Sequence, residues 1–140
     1  MIHLRLCLLA ATLISASPGW ASHWTAVGEG GNGLFSIAVD LDSVQRSGDH
    51  VKVMEKFTYN RPARHTGGRY IHVIKSNQSY DCDGRTSLVL LGFAYGDREA
   101  MKPIDKIQYH DIPSNYLPVA DGSAEEKIMA LVCSDRVATK

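Results

Sequence analysis

Apolar and polar residues alternate in short runs along most of this chain. Phe35, Ile37 and Val39 alternate with Ser36, Ala38 and Asp40, the period-2 pattern of a half-buried strand. The next run is clearer. Val51, Val53, Phe57 and Tyr59 share one face, with Lys52, Met54, Lys56 and Thr58 on the other. Glu55 is the one misfit on that apolar face. Residues 23–28 predict a short first strand, 70–80 another, and 104–109 a last one. Between them, residues 88–95 are apolar on both faces, the composition of a central strand covered on both sides. The C-terminal helix is one expected cover for it, and a partner or second protomer the other.

Turn chemistry separates these runs. Gly28 to Gly33 predicts a flexible turn, Asp42-Ser43 through Asp49 a hairpin-like connection, and Asn60 to Gly68 a loop marked by Pro62 and Gly67-Gly68. The helix has its own start signal. Ser123-Ala124-Glu125-Glu126 matches the capping box, and Ala124, Ile128, Leu131 and Val132 follow as an apolar stripe at helical spacing. Together these elements predict an α+β domain: a single antiparallel sheet of about five to six strands packed with a C-terminal α-helix.

The first 21 residues read as a secretory signal peptide. Arg5 precedes an apolar run over Leu6 to Ala16, Pro18 breaks it, and Gly19-Trp20-Ala21 supplies small residues at cleavage spacing. The run is shorter than the roughly 20 apolar residues a membrane span needs. Residues 22–140 then form one exported domain, periplasmic or secreted. Cys7 lies well upstream of the cleavage point, so the chain is not expected to be a lipoprotein.

The leader takes one of the three cysteines with it. The remaining pair, Cys82 and Cys133, reads as one disulfide in an oxidising compartment. It would join the Tyr80-Asp81-Cys82-Asp83-Gly84-Arg85 stretch to the last helix. Charge adds little, with 15 Lys and Arg against 15 Asp and Glu. Near-neutrality gives no reason to expect nucleic acid or an anionic membrane as partner.

Motifs for chemistry are weak. Gly28, Gly30 and Gly33 match the dinucleotide-binding spacing, but a strand follows where the pyrophosphate needs a helix N-terminus. Asp81 and Asp83 begin a calcium-loop pattern that lacks the later glutamate, and they read more simply as turn residues. Outside the leader, His23, His50, His65, His72 and His110 show no two-ligand spacing, and no free thiolate remains for zinc. No metal and no cofactor are expected. There is no G-x-S-x-G elbow. Glu55 on this otherwise apolar face is a candidate acid with a raised pKa, although a residue so placed more often sits near a strand end or pairs with a lysine.

The strongest surface signal runs from Tyr59 to Tyr70. It sets Arg61, Arg64, His65 and Arg69 beside Tyr70, and arginine and tyrosine are enriched at interface hot spots.

Several of these stretches resemble a known family. Trp24, Ile37-Ala38-Val39-Asp40 with Ser43, and Val51-Lys52-Val53 come first. Tyr70 and Tyr80-Asp81-Cys82-Asp83-Gly84-Arg85 follow, then Pro118 to Ser123, Ile128-Met129 and Val132-Cys133. In this order they resemble the surface-adhesin protein E-like domain of Gram-negative bacteria, across essentially the whole chain after the leader. Tyr116 stands where the family often has tryptophan, and the lipid-anchoring cysteine of surface-displayed members is absent. The resemblance implies an antiparallel sheet with a C-terminal helix, no catalytic centre, and adhesion or ligand binding at the cell envelope. Its matching positions are scaffold positions and name no binding residue.

The reading that follows is an exported, non-enzymatic binding protein whose partner is a protein or a host-matrix component. The alternative is a periplasmic inhibitor or accessory factor of a cell-envelope enzyme. A homodimer is compatible with either.

Overall fold

A computed structural model describes residues 22–134. The leader expected over residues 1–21 lies outside the described residues. The chain forms one antiparallel meander: β1 (Trp24–Gly30), β2 (Phe35–Ser47), β3 (His50–Arg64), β4 (Tyr70–Asp81), β5 (Thr86–Tyr95) and β6 (Pro103–Gln108), each paired with the next. A two-residue strand, β7 (Leu117–Pro118), pairs with Thr86 and Ser87 of β5, and α1 (Ala124–Val132) closes the domain. The expected fold class holds, with β7 as a strand too short to leave a periodic signal.

The strands run further than their turn signals suggested. β2 continues through the Asp42-Ser43 segment to Ser47, and β3 through Pro62 to Arg64. Both segments are bulges rather than loops. Register shifts between Asp40 and Gln45 on β2, where the Ser43 hydroxyl accepts from Met54 N at 2.8 Å in place of a ladder partner. On β3 it shifts between Thr58 and Ala63, which puts Pro62, with no N–H to donate, where the ladder is already open. The glycine-rich turn shortens for a related reason. A Cβ on Gly30 would overlap the Phe35 ring, and Gly31 and Gly33 turn the chain at positive φ.

The core lies between α1 and the first four strands. Ile37 and Val39 of β2, Val51 and Val53 of β3 and Tyr80 of β4 pack against Ile128, Met129 and Val132. Ser123 caps the helix, accepting from Glu126 N at 3.1 Å. The reciprocal half of the capping box is displaced by one residue. Glu126 Oε2 accepts from Gly122 N at 2.6 Å, and its Oε1 takes Arg85 at 3.0 Å. At the other end, Arg46 of β2 donates to the Val132 carbonyl at 2.8 Å, meeting a carbonyl the helix leaves unpaired.

The helix does not cover β5 as expected. Lys127 Nζ holds the Glu29 carbonyl of β1 at 2.8 Å, and Arg46 holds the C-terminal end. The Cys82–Cys133 disulfide, with Cα atoms 5.7 Å apart, ties that end to the turn just after β4. These tethers set α1 over the β1–β3 side, so most of β5 stays half-buried. On the opposite face, the segment between β6 and β7 folds back over Ser79 and Leu88. There the Tyr116 hydroxyl lies 2.8 Å from both Ser79 Oγ and Asp111 Oδ1. A carboxylate can only accept, so the phenolic proton goes to Asp111 and Ser79 donates to the phenol.

Candidate functional site

Because α1 stops short of β5, the helix-bearing face of the sheet has an uncovered half. Glu55 marks the boundary. It follows Val51 and Val53 on the same face of β3, so alternation carries it beneath the helix's N-terminal end, where it is 1% exposed. Tyr80, fully buried on β4, donates to Glu55 Oε1 at 2.5 Å. Burial is the main cause that pushes the Glu55 carboxyl up to about 8; the Glu125 charge adds to it and the Tyr80 hydrogen bond opposes it. Burial, then the neighbouring Glu55, pushes the Tyr80 phenol well above its usual value. At neutral pH the pair is therefore a neutral acid held by a neutral phenol.

Beyond Glu55 the face opens into a groove of about 450 Å³. Phe57 and Tyr59 continue the β3 face, and Phe35 of β2 meets both rings edge-on at centroid distances of 5.5 and 5.6 Å. Ile74, Ala94 and Ile107 extend the apolar wall across β4, β5 and β6. Gly92 lets the floor lie low, since a side chain there would stand between Val89 and Ser76. Glu125 lines the groove from the helix, and His65 and Asp105 line it at the far end, paired at 2.8 Å. The expected misfit on the apolar face is thus a buried polar member of a concave site. Alternation exposed Glu55 as unusual, but nothing in the sequence marked Tyr80 as its partner.

The arginine-rich stretch falls at the tip of the β3–β4 hairpin, next to this groove. Arg61 and Arg64 belong to β3 rather than to a loop, and both are exposed. Tyr70 opens β4 at 57% exposure. His65 and Arg69 have structural partners instead. Beyond the His65–Asp105 pair, Arg69 donates to the Ile104 carbonyl at 2.5 Å and His65 N to the Arg69 carbonyl at 2.8 Å. Together these bonds fasten the tip to β6.

Over residues 24–134 the sequence matches the family model of surface-adhesin protein E. The chain belongs to the surface-adhesin protein E family. No curated protein matches it significantly. For this member of the adhesin E family, the cysteine pair is the clasp between helix and sheet. Asp81 is a turn residue whose Oδ1 accepts from Gly84 N at 2.9 Å. Among the described residues no three His, Cys, Asp or Glu side chains converge as a metal site, and no helix is long and apolar enough to cross a membrane. The described histidines serve separately. His23 meets Asp42 at 3.0 Å, His50 packs edge-on against Tyr116, and half-buried His72 sits with its Nδ1 unpaired.

Proposed function

We propose that this adhesin E family member is an exported, non-enzymatic binding module that meets a protein partner or host-matrix component through the tip of its β3–β4 hairpin. Carrying this reading is the exposure of Arg61, Arg64 and Tyr70 on a hairpin tip that the Arg69 and His65 side chains fasten to β6. Arginine and tyrosine supply large contact area and directed hydrogen bonds, and a tip that is already ordered loses little entropy on binding. His65 and Arg69 support the tip from behind. The leader read over residues 1–21 would deliver the module to the periplasm or the medium.

The test is a triple variant, Arg61→Ala, Arg64→Ala and Tyr70→Ala, measured against a panel of purified matrix proteins. Affinity for the bound component should fall by at least roughly tenfold, about 1.4 kcal/mol. The thermal midpoint should hold, because these side chains bury little. Unchanged affinity would remove the hairpin tip as the contact.

A further inference from the structure

The groove beside Glu55 is charged for one kind of guest. Its described lining contains Glu55, Glu125 and Asp105 but no Lys or Arg. Asp105 is engaged by His65 at 2.8 Å, which leaves Glu55 and Glu125 facing the space from the sheet and from the helix. Tyr80 satisfies only Oε1 of Glu55; Oε2 has no hydrogen bond among the described residues. The nearby wall is aromatic, with Phe35 set edge-on to Phe57 and to Tyr59. Carboxylates beside aromatic rings in a low-dielectric recess favour a cation. A volume near 450 Å³ suits a small molecule, for which sites run from about 300 to 1,000 Å³.

We propose that the groove binds a small organic ammonium ion on an apolar body, with Glu55 and Glu125 taking the nitrogen and the Phe35, Phe57 and Tyr59 rings packing the body. This site is separate from the hairpin-tip reading and stands or falls without it. Its proton balance is explicit. In the empty groove at neutral pH, Glu55 is protonated, because burial above all, with the Glu125 charge, lifts its carboxyl to about 8. As the ammonium enters, the Glu55 proton leaves to solvent, and the ammonium keeps its own. Tyr80 keeps its proton throughout. His65 and Asp105, paired across the far rim, and the Tyr59 phenol are the remaining titratable groups of the groove. Ligand affinity should therefore rise with pH towards about 8 and level off above it.

Calorimetry at pH 7 in two buffers of different ionisation enthalpy tests this with three probes: 4-phenylbutylammonium, 4-phenylbutanol and 4-phenylbutanoate. The ammonium should bind at least roughly tenfold more tightly than either relative and release close to one proton. Glu55→Gln keeps a group able to meet Tyr80, and it should lose most of that preference and all of the proton release. Gly92→Leu should fill the groove and abolish saturable binding, with a Cβ that starts at ordinary contact, 3.5 Å from Val89 and 3.6 Å from Ser76. Circular dichroism establishes that each variant is folded. Equal binding of the three probes, no saturable binding by wild type, no proton release, or an unaffected Glu55→Gln would each overturn the proposal. So would sedimentation showing a dimer that Gly92→Leu dissolves, because the guest would then be a second copy.

Discussion

Tyr80 and Glu55 face each other inside the domain, the phenol donating to the carboxyl at 2.5 Å, with neither side chain more than 1% exposed. Burial pushes the carboxyl up to about 8 from an ordinary value of 4.5. The folded state therefore holds a proton that the unfolded chain gives up. Any stability from this group is fully present below about 4.5 and is lost as pH rises through about 8. Thermal midpoints of the wild type should fall across that window, and Glu55→Gln should flatten the fall. Parallel profiles for the two proteins would show that Glu55 titrates elsewhere. Glu55→Ala is expected to be worse than Glu55→Gln by about 1–3 kcal/mol, because it leaves the Tyr80 hydroxyl buried without a partner.

The Cys82–Cys133 bridge encloses a sequence separation of 51 residues. Loop-closure entropy puts its stabilisation near 4 kcal/mol, if strain and residual unfolded structure are small. The Cys82→Ala, Cys133→Ala double variant should show a loss of that order in urea denaturation. Intact mass with and without reduction should differ by about two daltons, one hydrogen per thiol. A loss under about 1 kcal/mol would mean that the noncovalent tethers of α1 already suffice.

Those tethers can be removed singly. Arg46→Met deletes the donor to the Val132 carbonyl at the helix end and should cost about 1.5–3 kcal/mol, the range for a charge-assisted bond. Ser123→Ala deletes the N-cap acceptor and should cost about 1 kcal/mol. An exposed tip arginine such as Arg64 should cost far less. If Arg46→Met and Arg64→Ala prove equal in chemical denaturation, Arg46 does not hold the helix.

Asp111 fastens the segment between β6 and β7. Its carboxylate takes Lys52 Nζ at 2.8 Å and the Tyr116 hydroxyl at 2.8 Å. The Lys52 bond first, then Tyr116, hold it below its ordinary 3.8. For a depressed acid the stabilisation is present above 3.8 and disappears as pH falls through the lowered value. Asp111→Asn at neutral pH should accordingly speed hydrogen exchange at the Asn115 and Tyr116 amides while leaving the global midpoint nearly unchanged. Protection that survives the substitution would assign the closure to contacts other than Asp111, such as the Ser79 and His50 contacts of Tyr116 and the pairing of β7 with β5.

Local pattern was sufficient for much of the fold. Alternation around Ile37 and Val53, the Ser123 cap and the pairing of the last two cysteines each depend on near neighbours or on counting, and each appears in the structure. The bulges read as turns in the sequence because Asp42-Ser43 and Pro62 carry turn chemistry wherever they stand. Whether such residues end a strand or kink it depends on the strand beside them, as Met54 N bonding to Ser43 shows.

The sequence by itself determined an antiparallel sheet with a capped helix, a cysteine clasp, and one acid out of pattern at Glu55. Only the tertiary structure decided which strands the helix covers, and with that where the groove lies. The reason is the range of the contacts involved. Arg46 meets Val132 across 86 residues and Lys127 meets Glu29 across 98, separations over which neither period nor motif carries information. Tyr80 becomes the partner of Glu55, rather than one more core aromatic, because the β3–β4 register brings both beneath the same helix.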